Sequence, residues 1–182
     1  GDDSVLASAT SDSSGAYSVS FATTGASVTG YLHAAADTFF PSNLFPPDAI
    51  QSNIGSLNIP LFSTSLLPLL ATFAGTQLIA GDGVAILQID DCAGDSMAGV
   101  QIQVTNGNAD TKVVYGAGDN SLPSPSATET DEGGTVFILN MPPGPITISG
   151  TYGTDGHMHS VEARSFADQA TRDWIEAEVK PV

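Results

Sequence analysis

Thr130-Asp131-Glu132-Gly133-Gly134-Thr135-Val136-Phe137-Ile138-Leu139-Asn140-Met141-Pro142-Pro143-Gly144-Pro145-Ile146-Thr147-Ile148 is the stretch on which the reading of the fold turns. It opens with an acidic turn closed by two glycines and continues as a run of β-branched and aromatic residues. It then breaks at Pro-Pro-Gly and resumes as alternating Ile-Thr-Ile. That order is a strand, a sharp reversal and a second strand, because residues of this kind fit a pleated, half-buried surface. Pro142 and Pro143 fix φ and donate no amide hydrogen, and Gly144 tolerates backbone that other residues avoid.

Outward from this unit, short alternating runs separated by Gly, Asp, Ser and Asn clusters recur in both directions. Strands are expected at 84–89, 100–105, 112–115, 135–139, 146–152 and 159–164, with a last one at 171–179, where Ile175, Ala177 and Val179 alternate. Upstream, 5–10 and 16–21 flank Ser11-Asp12-Ser13-Ser14-Gly15 and read as a hairpin, followed by strands at 28–33 and 56–62. Between them Phe39-Phe40-Pro41-Ser42-Asn43-Leu44-Phe45-Pro46-Pro47 is expected to lie outside the ladders as an irregular lid, because its prolines cannot donate. Residues 65–75 place Leu66, Leu67, Leu69, Leu70 and Phe73 at helical spacing. Ser63 or Ser65 is the expected cap, Pro68 falls in the first turn and Gly75 is the stop.

Residues 9–19 echo residues 128–138 at an offset of about 119: each strand ends in Thr-x-Asp or Thr-Asp, crosses a Gly turn and resumes as alternating apolar residues. The expected organisation is therefore two β modules. Residues 1–63 form a first, N-terminally incomplete sandwich, 64–82 a helical linker, and 83–182 a complete sandwich.

Ile89-Asp90-Asp91-Cys92-Ala93-Gly94-Asp95-Ser96-Met97-Ala98-Gly99-Val100-Gln101-Ile102, with Thr130-Asp131-Glu132-Gly133-Gly134 and Asn140-Met141-Pro142-Pro143-Gly144, resembles the carboxypeptidase regulatory-like (transthyretin-like, Cna-B-like) domains of bacterial secreted and envelope proteins. The likeness covers 83–164 well and 4–62 more weakly. It implies an all-β, Greek-key, prealbumin-like β-sandwich without catalysis, serving as an adhesive, stalk, carbohydrate-contacting or folding-support module. Fold follows from such a resemblance more securely than function.

Composition narrows the partners. Twenty acidic residues against four basic ones (Lys112, Lys180, Arg164 and Arg172) give a formal net charge of -16. Polyanions bind through Lys and Arg, so nucleic acid and anionic membrane surfaces are excluded as expected partners. The longest apolar stretch, 57–70, is broken by Pro60, Pro68 and several Ser and Thr, so no membrane span is expected. A lone Cys92 permits no internal disulfide and no cysteine zinc cluster, and no base adjoins it to activate the thiol. Ser, Thr, Gly and Ala richness, scarce Lys and the resemblance together place the chain outside the cytoplasm, in the envelope or secreted. Gly1-Asp2-Asp3-Ser4 is not the core of a secretion signal, and any leader or lipid anchor is expected on a segment outside these residues.

No Gly-x-Ser-x-Gly elbow, His-Glu-x-x-His helix, phosphate loop or dinucleotide fingerprint occurs, and no enzyme activity or cofactor is expected. Two constellations remain as candidates. Tyr31, Phe39, Phe40 and Phe45, with Tyr17 nearby, surround the Pro-rich segment and suit contact with carbohydrate or with another envelope protein. Asp155, His157 and His159 suit a transition metal: on a strand the two imidazoles share a face about 7 Å apart, which opens a metal-dependent hydrolase as the alternative function. Asp90, Asp91 and Asp95, with Asp119 and Asp131, offer calcium-type oxygens but lack the spacing of a calcium loop. His33 is read as structural. Lys112 and Lys180 are badly placed for the isopeptide crosslink that some Cna-B-like domains form. The sequence leaves the oligomeric state open.

Overall fold

A computed structural model describes residues 4–46, 49–55, 57–91, 93–118, 121–153, 156–157 and 161–176. In chain order the elements are β1 (Leu32–Ala34), β2 (Phe39–Phe40), β3 (Ser42–Leu44), β4 (Phe62–Ser63), α1 (Leu66–Phe73), β5 (Gly83–Asp90), β6 (Val100–Thr105), β7 (Lys112–Ala117) and β8 (Leu122–Ser124). They continue with β9 (Thr135–Met141), β10 (Gly144–Tyr152), β11 (Gly156–His157), β12 (Val161–Ser165) and β13 (Ala170–Glu176). The fold is an all-β sandwich with one short helix. The larger sheet runs β1-β3-β13-β5-β9-β7-β8; β10 anchors the smaller, with β6 on one side and β12 and β11 completing it.

The middle of the large sheet is apolar on both faces. Ala85, Leu87 and Ile89 of β5 and Val136, Ile138 and Met141 of β9 meet Val100, Ile102, Ile146 and Ile148 of the smaller sheet. Val84, Ile86, Phe137 and Leu139 point the other way, onto Leu67, Leu70, Ala71 and Ala74 of the α1 segment. A strand pair buried on both faces reads as a continuous apolar run, as residues 84–87 do. Asn140, with φ of 58°, shifts the register so that Met141 joins Ile138 on the inner face instead of following Leu139 outward. Two residues later the Pro-Pro turn carries the chain from β9 in one sheet to β10 in the other.

The Thr-Asp-x-x-Gly motif fixes the opposite end of β9. Buried Thr130 accepts from the Val100 amide through its hydroxyl oxygen and donates to the Met97 carbonyl, at 2.9 and 2.7 Å. Asp131 accepts from the amides of Gly133 and Gly118. Gly134 then passes so close to β5 that an added Cβ would lie 2.5 Å from the Ile89 carbonyl oxygen, at a φ of +62°.

The helix matches its expected place. Pro68 sits in the first turn and Ser63, not Ser65, accepts from the Leu66 amide. Gly75 turns left-handed and the Thr76 amide closes back on Ala71.

Upstream, the outcome differs more widely from the reading. The strand expected at 28–33 reduces to an isolated bridge between Val28 and Ile50 and to β1 from Leu32. Of the one expected at 56–62 only Phe62 is in a strand, 57–61 lying outside any ladder. The Asp12 turn forms, its carboxylate accepting from the amides of Ser14 and Ala16, and these bonds, led by the Ser14 hydroxyl's, lower its pKa. The flanking runs 5–10 and 16–21 nevertheless lie outside any ladder, because an isolated two-stranded hairpin has no apolar face to bury. Conversely, the Pro-bounded segment is no lid: it supplies β2 and β3. Pro41 has no hydrogen to give but accepts from the Ala170 amide at 2.9 Å, and Ser42–Leu44 pairs antiparallel with β1 and parallel with β13. Strands β1 and β3, from residues upstream of 63, thus continue the sheet built by residues downstream of 83. Of the final strand expected at 171–179, the described part forms as β13, parallel to β5, while residues 177–179 lie outside the described residues.

Two variants test these constraints. Gly134→Ala is expected to lower unfolding free energy by about 2–4 kcal/mol, read as a lower urea midpoint at unchanged slope. The second concerns Tyr115, whose hydroxyl oxygen accepts from the Ile102 amide at 2.8 Å. Burial raises its pKa above the ordinary 10.0, the Ile102 bond opposing and Glu129 adding to the rise. The folded state therefore holds this proton longer than the unfolded one, so its contribution is complete below about pH 10 and is lost as pH climbs toward the raised value. Tyr115→Phe should cost about 1–2 kcal/mol at neutral pH by orphaning the Ile102 amide. It should also flatten the alkaline limb of a stability-versus-pH curve relative to the parent.

Candidate functional site

Pairing of β1 with β3 decides which candidate aromatics meet. Leu32 is opposite Leu44, so Tyr31 and Phe45 are the next residues outward in the register, and their rings lie 5.2 Å apart at 32°. Phe166, in the crossing from β12 to β13, packs on Tyr31 at 5.1 Å and 53°. The guanidinium of Arg164 stands 5.4 Å from the Phe166 ring centroid, a cation–π contact. The result is a row: Phe45, Tyr31, Phe166, Arg164. The crossing passes so close to β5 that an added Cβ on Gly83 would lie 2.5 Å from Ser165 Oγ and 2.6 Å from the Phe166 carbonyl oxygen.

Phe39 and Phe40 are not part of the row; among the described residues neither makes a ring contact. Their ribbon pairs Phe39 with Ser63 and Phe40 with Phe62. Alternation turns Phe40 inward, with Phe62, onto the outer core beneath α1, and leaves Phe39 exposed. Tyr17 is spoken for elsewhere: its hydroxyl donates to the Leu57 carbonyl at 2.7 Å, and burial raises its pKa. Phe166 and Arg164 escaped the reading, although Arg164 and Phe166 two residues apart already had the spacing of one strand face.

Of the metal candidates, His157 lies in β11 with its backbone opposite Thr151, whereas Asp155 and His159 lie outside the described residues. Among the described residues no group of three or more His, Cys, Asp or Glu could hold a metal ion. The turn carboxylates of the calcium alternative hold turns. Asp91 accepts from the amides of Ala93 and Asp95, Asp90 from the Gln88 side chain, and Asp131 from the two glycines already described. Cys92 and Asp119 lie outside the described residues. His33 sits 2.9 Å from the Asn43 side-chain oxygen.

A groove of about 190 Å³ opens between α1 and the loop that follows it, walled by Phe40, Leu67, Leu78 and Val84 with Asp82 and Asp168 also lining it. That is smaller than the roughly 300–1,000 Å³ that small-molecule sites enclose.

No family model matches the chain, and no curated protein matches it. Similar solved structures include a streptococcal ancillary pilin, at 14% identity and a TM-score of 0.36, over 88% of this chain and 47% of that one. The shaft pilin SpaA of Lactobacillus rhamnosus GG is similar at 12% identity and a TM-score of 0.32, over 95% of this chain and 69% of that one. The chain thus spans about half the length of the ancillary pilin it matches.

The aromatic row carries its own test. Phe166→Ala, which removes the middle of the stack, should cost about 1–3 kcal/mol in chemical denaturation. Phe39→Ala, on an exposed ring, should stay within about 0.5 kcal/mol of the parent.

Proposed function

We propose that this chain is a non-catalytic structural or interaction module of a secreted or cell-envelope bacterial protein. The observation that carries the reading is how its buried polar side chains are used. Ser42 donates to the Phe40 carbonyl, Ser165 to that of Met141 and Thr171 to that of Arg164. Asn43 lies between His33 and Gln169. Thr130 holds the start of β6, and Asn140 accepts from the Ile79 amide while donating to the Gln77 carbonyl. Each of these groups, the buried polar ones among the described residues, is committed to holding backbone or neighbours in place. A catalytic site instead keeps polar groups convergent on a cavity.

In this reading residues 83–182 form the carboxypeptidase regulatory-like, prealbumin-like module that the Thr-Asp-x-x-Gly and Asn-x-Pro-Pro-Gly motifs indicate. Residues 1–63 are a second, incomplete module whose strands β1 and β3 extend the larger sheet, and 64–82 link the two. Another envelope protein fits as partner better than a sugar. A sugar needs an open ring face, and Tyr31 already packs against two rings, Phe45 and Phe166.

Antibody raised to the module should label intact bacterial cells or their culture medium, and the purified chain should hydrolyse no ester, peptide or phosphate substrate with or without added zinc. Zinc-dependent turnover abolished by His157→Ala would overturn the reading in favour of the hydrolase. Retention on a glycan array, lost on Tyr31→Ala, would move the partner from protein to carbohydrate.

A further inference from the structure

Charge is unevenly laid out along this chain. Residues 13–81 carry only two charged side chains, Asp37 and Asp48, whereas 82–182 hold all four basic residues and most of the acids. The exposed apolar groups follow the same division. Of the large hydrophobic side chains exposed among the described residues, only Leu122 and Tyr152 lie outside 5–79. Leu122 is on β8, which packs beside α1, so it belongs to the same side of the molecule.

At the centre of the uncharged segment 49–81 is the outer stripe of α1. Leu66, Leu69 and Phe73 follow the i, i+3, i+7 spacing of one helix face and are 38%, 49% and 45% exposed; neighbouring Leu122 is 43% exposed. The opposite face, Leu67, Leu70 and Ala71, is buried on the sheet. A helix lying on a protein surface ordinarily turns charged or polar residues outward. This one turns out leucine and phenylalanine, within a chain whose net charge is -16.

We propose that this face binds a second copy of the chain, the α1 stripes packing against each other about a two-fold axis. This rests on the interaction-module reading and names its partner. The charge layout selects that occupant. A cationic partner would be drawn to the acid-rich residues beyond 82, not to a surface without charge. Two copies at -16 repel each other, and least where the uncharged α1 stripes meet. A two-fold contact is self-complementary, so a stripe of leucines and a phenylalanine needs no second surface to match it.

Residual repulsion between the acidic halves gives the proposal a signature. Salt shortens the reach of charge, from roughly 20 Å at about 20 mM to about 4 Å at 0.5 M. Self-association should therefore tighten as salt rises, whereas a contact between opposite charges would loosen.

Sedimentation velocity on the full chain across a concentration series decides it. A monomer–dimer equilibrium is expected that tightens by about tenfold or more between ~20 mM and ~0.5 M NaCl. Leu69→Glu and, without added charge, Phe73→Ser should each weaken it by about tenfold or more. Tyr152→Ser, exposed on the smaller sheet, should leave it unchanged. Both α1 substitutions fall on exposed positions, and an unchanged far-ultraviolet spectrum and melting midpoint show that the fold survives. A monomer at every concentration and salt overturns the proposal, as does a dimer indifferent to both α1 variants or one that dissociates as salt rises. Co-sedimentation of a monomeric chain with phosphatidylcholine vesicles would give the stripe to a lipid surface instead, and also overturns it. A monomer that labels cells and lacks turnover removes only the dimer; hydrolytic turnover removes the module reading whatever the oligomeric state.

Discussion

Everything in this molecule is arranged around a pair of strands that cannot face water on either side. β5 and β9 place Leu87, Ile89, Val136 and Ile138 on one face and Val84, Ile86, Phe137 and Leu139 on the other. Leaving either face open would expose several large side chains, each worth about 1.5–3 kcal/mol of transfer free energy. The smaller sheet covers one face, as in any sandwich. The second face needs a different cover, and the chain supplies it from upstream: α1 with Leu67, Leu70 and Ala71, and the β2–β4 ribbon with Phe40 and Phe62. The segment from Phe40 to Leu78 is therefore tied to the sandwich as part of its core.

Polar groups set the ends of that pair with little tolerance. At one end Thr130 and Asp131 hold the turn that brings Gly134 against the Ile89 carbonyl. At the other, Asn140 takes a left-handed backbone and reaches the Ile79 amide and the Gln77 carbonyl in the loop after α1. The same residue that shifts the register of β9 also fastens the outer layer to it. The Thr111 hydroxyl donates to the Asn140 carbonyl, drawing the 108–111 turn into the junction. A buried amide with partners in two other segments is costly to lose, because each freed backbone group would remain without water.

These joints were legible because they are local. A Thr-Asp-x-x-Gly turn, an Asn-x-Pro-Pro-Gly reversal and a helix capped between Ser63 and Gly75 are written within a few residues each, and their stereochemistry admits few alternatives. Long-range pairing was not legible. Ser42 and Asn43 are polar and flanked by prolines, so hydropathy marks them as surface. They are nonetheless buried in β3, since Asn43 bonds to Gln169 from a segment 126 residues away. Alternation at 5–10 and 16–21 satisfies the strand pattern but has no partner strand, and pattern alone cannot create one. The aromatic site divides in the same way. Tyr31 and Phe45 come together through a near-neighbour hairpin, while Phe166 and Arg164 arrive only because β13 runs parallel to β3.

The cover of the outer face is itself the least usual part of the surface. A helix that buries one apolar face normally ends the matter by turning a hydrophilic face outward, and this chain has enough Asp and Glu to do so. Instead every position from 49 to 81 is uncharged, and α1 reads Leu-Leu-Pro-Leu-Leu-Ala-Thr-Phe. Covering β5 and β9 requires only Leu67, Leu70 and Ala71 from this helix; it does not require Leu66, Leu69 or Phe73. Their exposure gives the isolated chain no stability that serine or glutamate would not. The physical use of an apolar outward stripe on a highly acidic molecule is to be covered in turn, which makes α1 a layer between two cores, one inside the sandwich and one outside it.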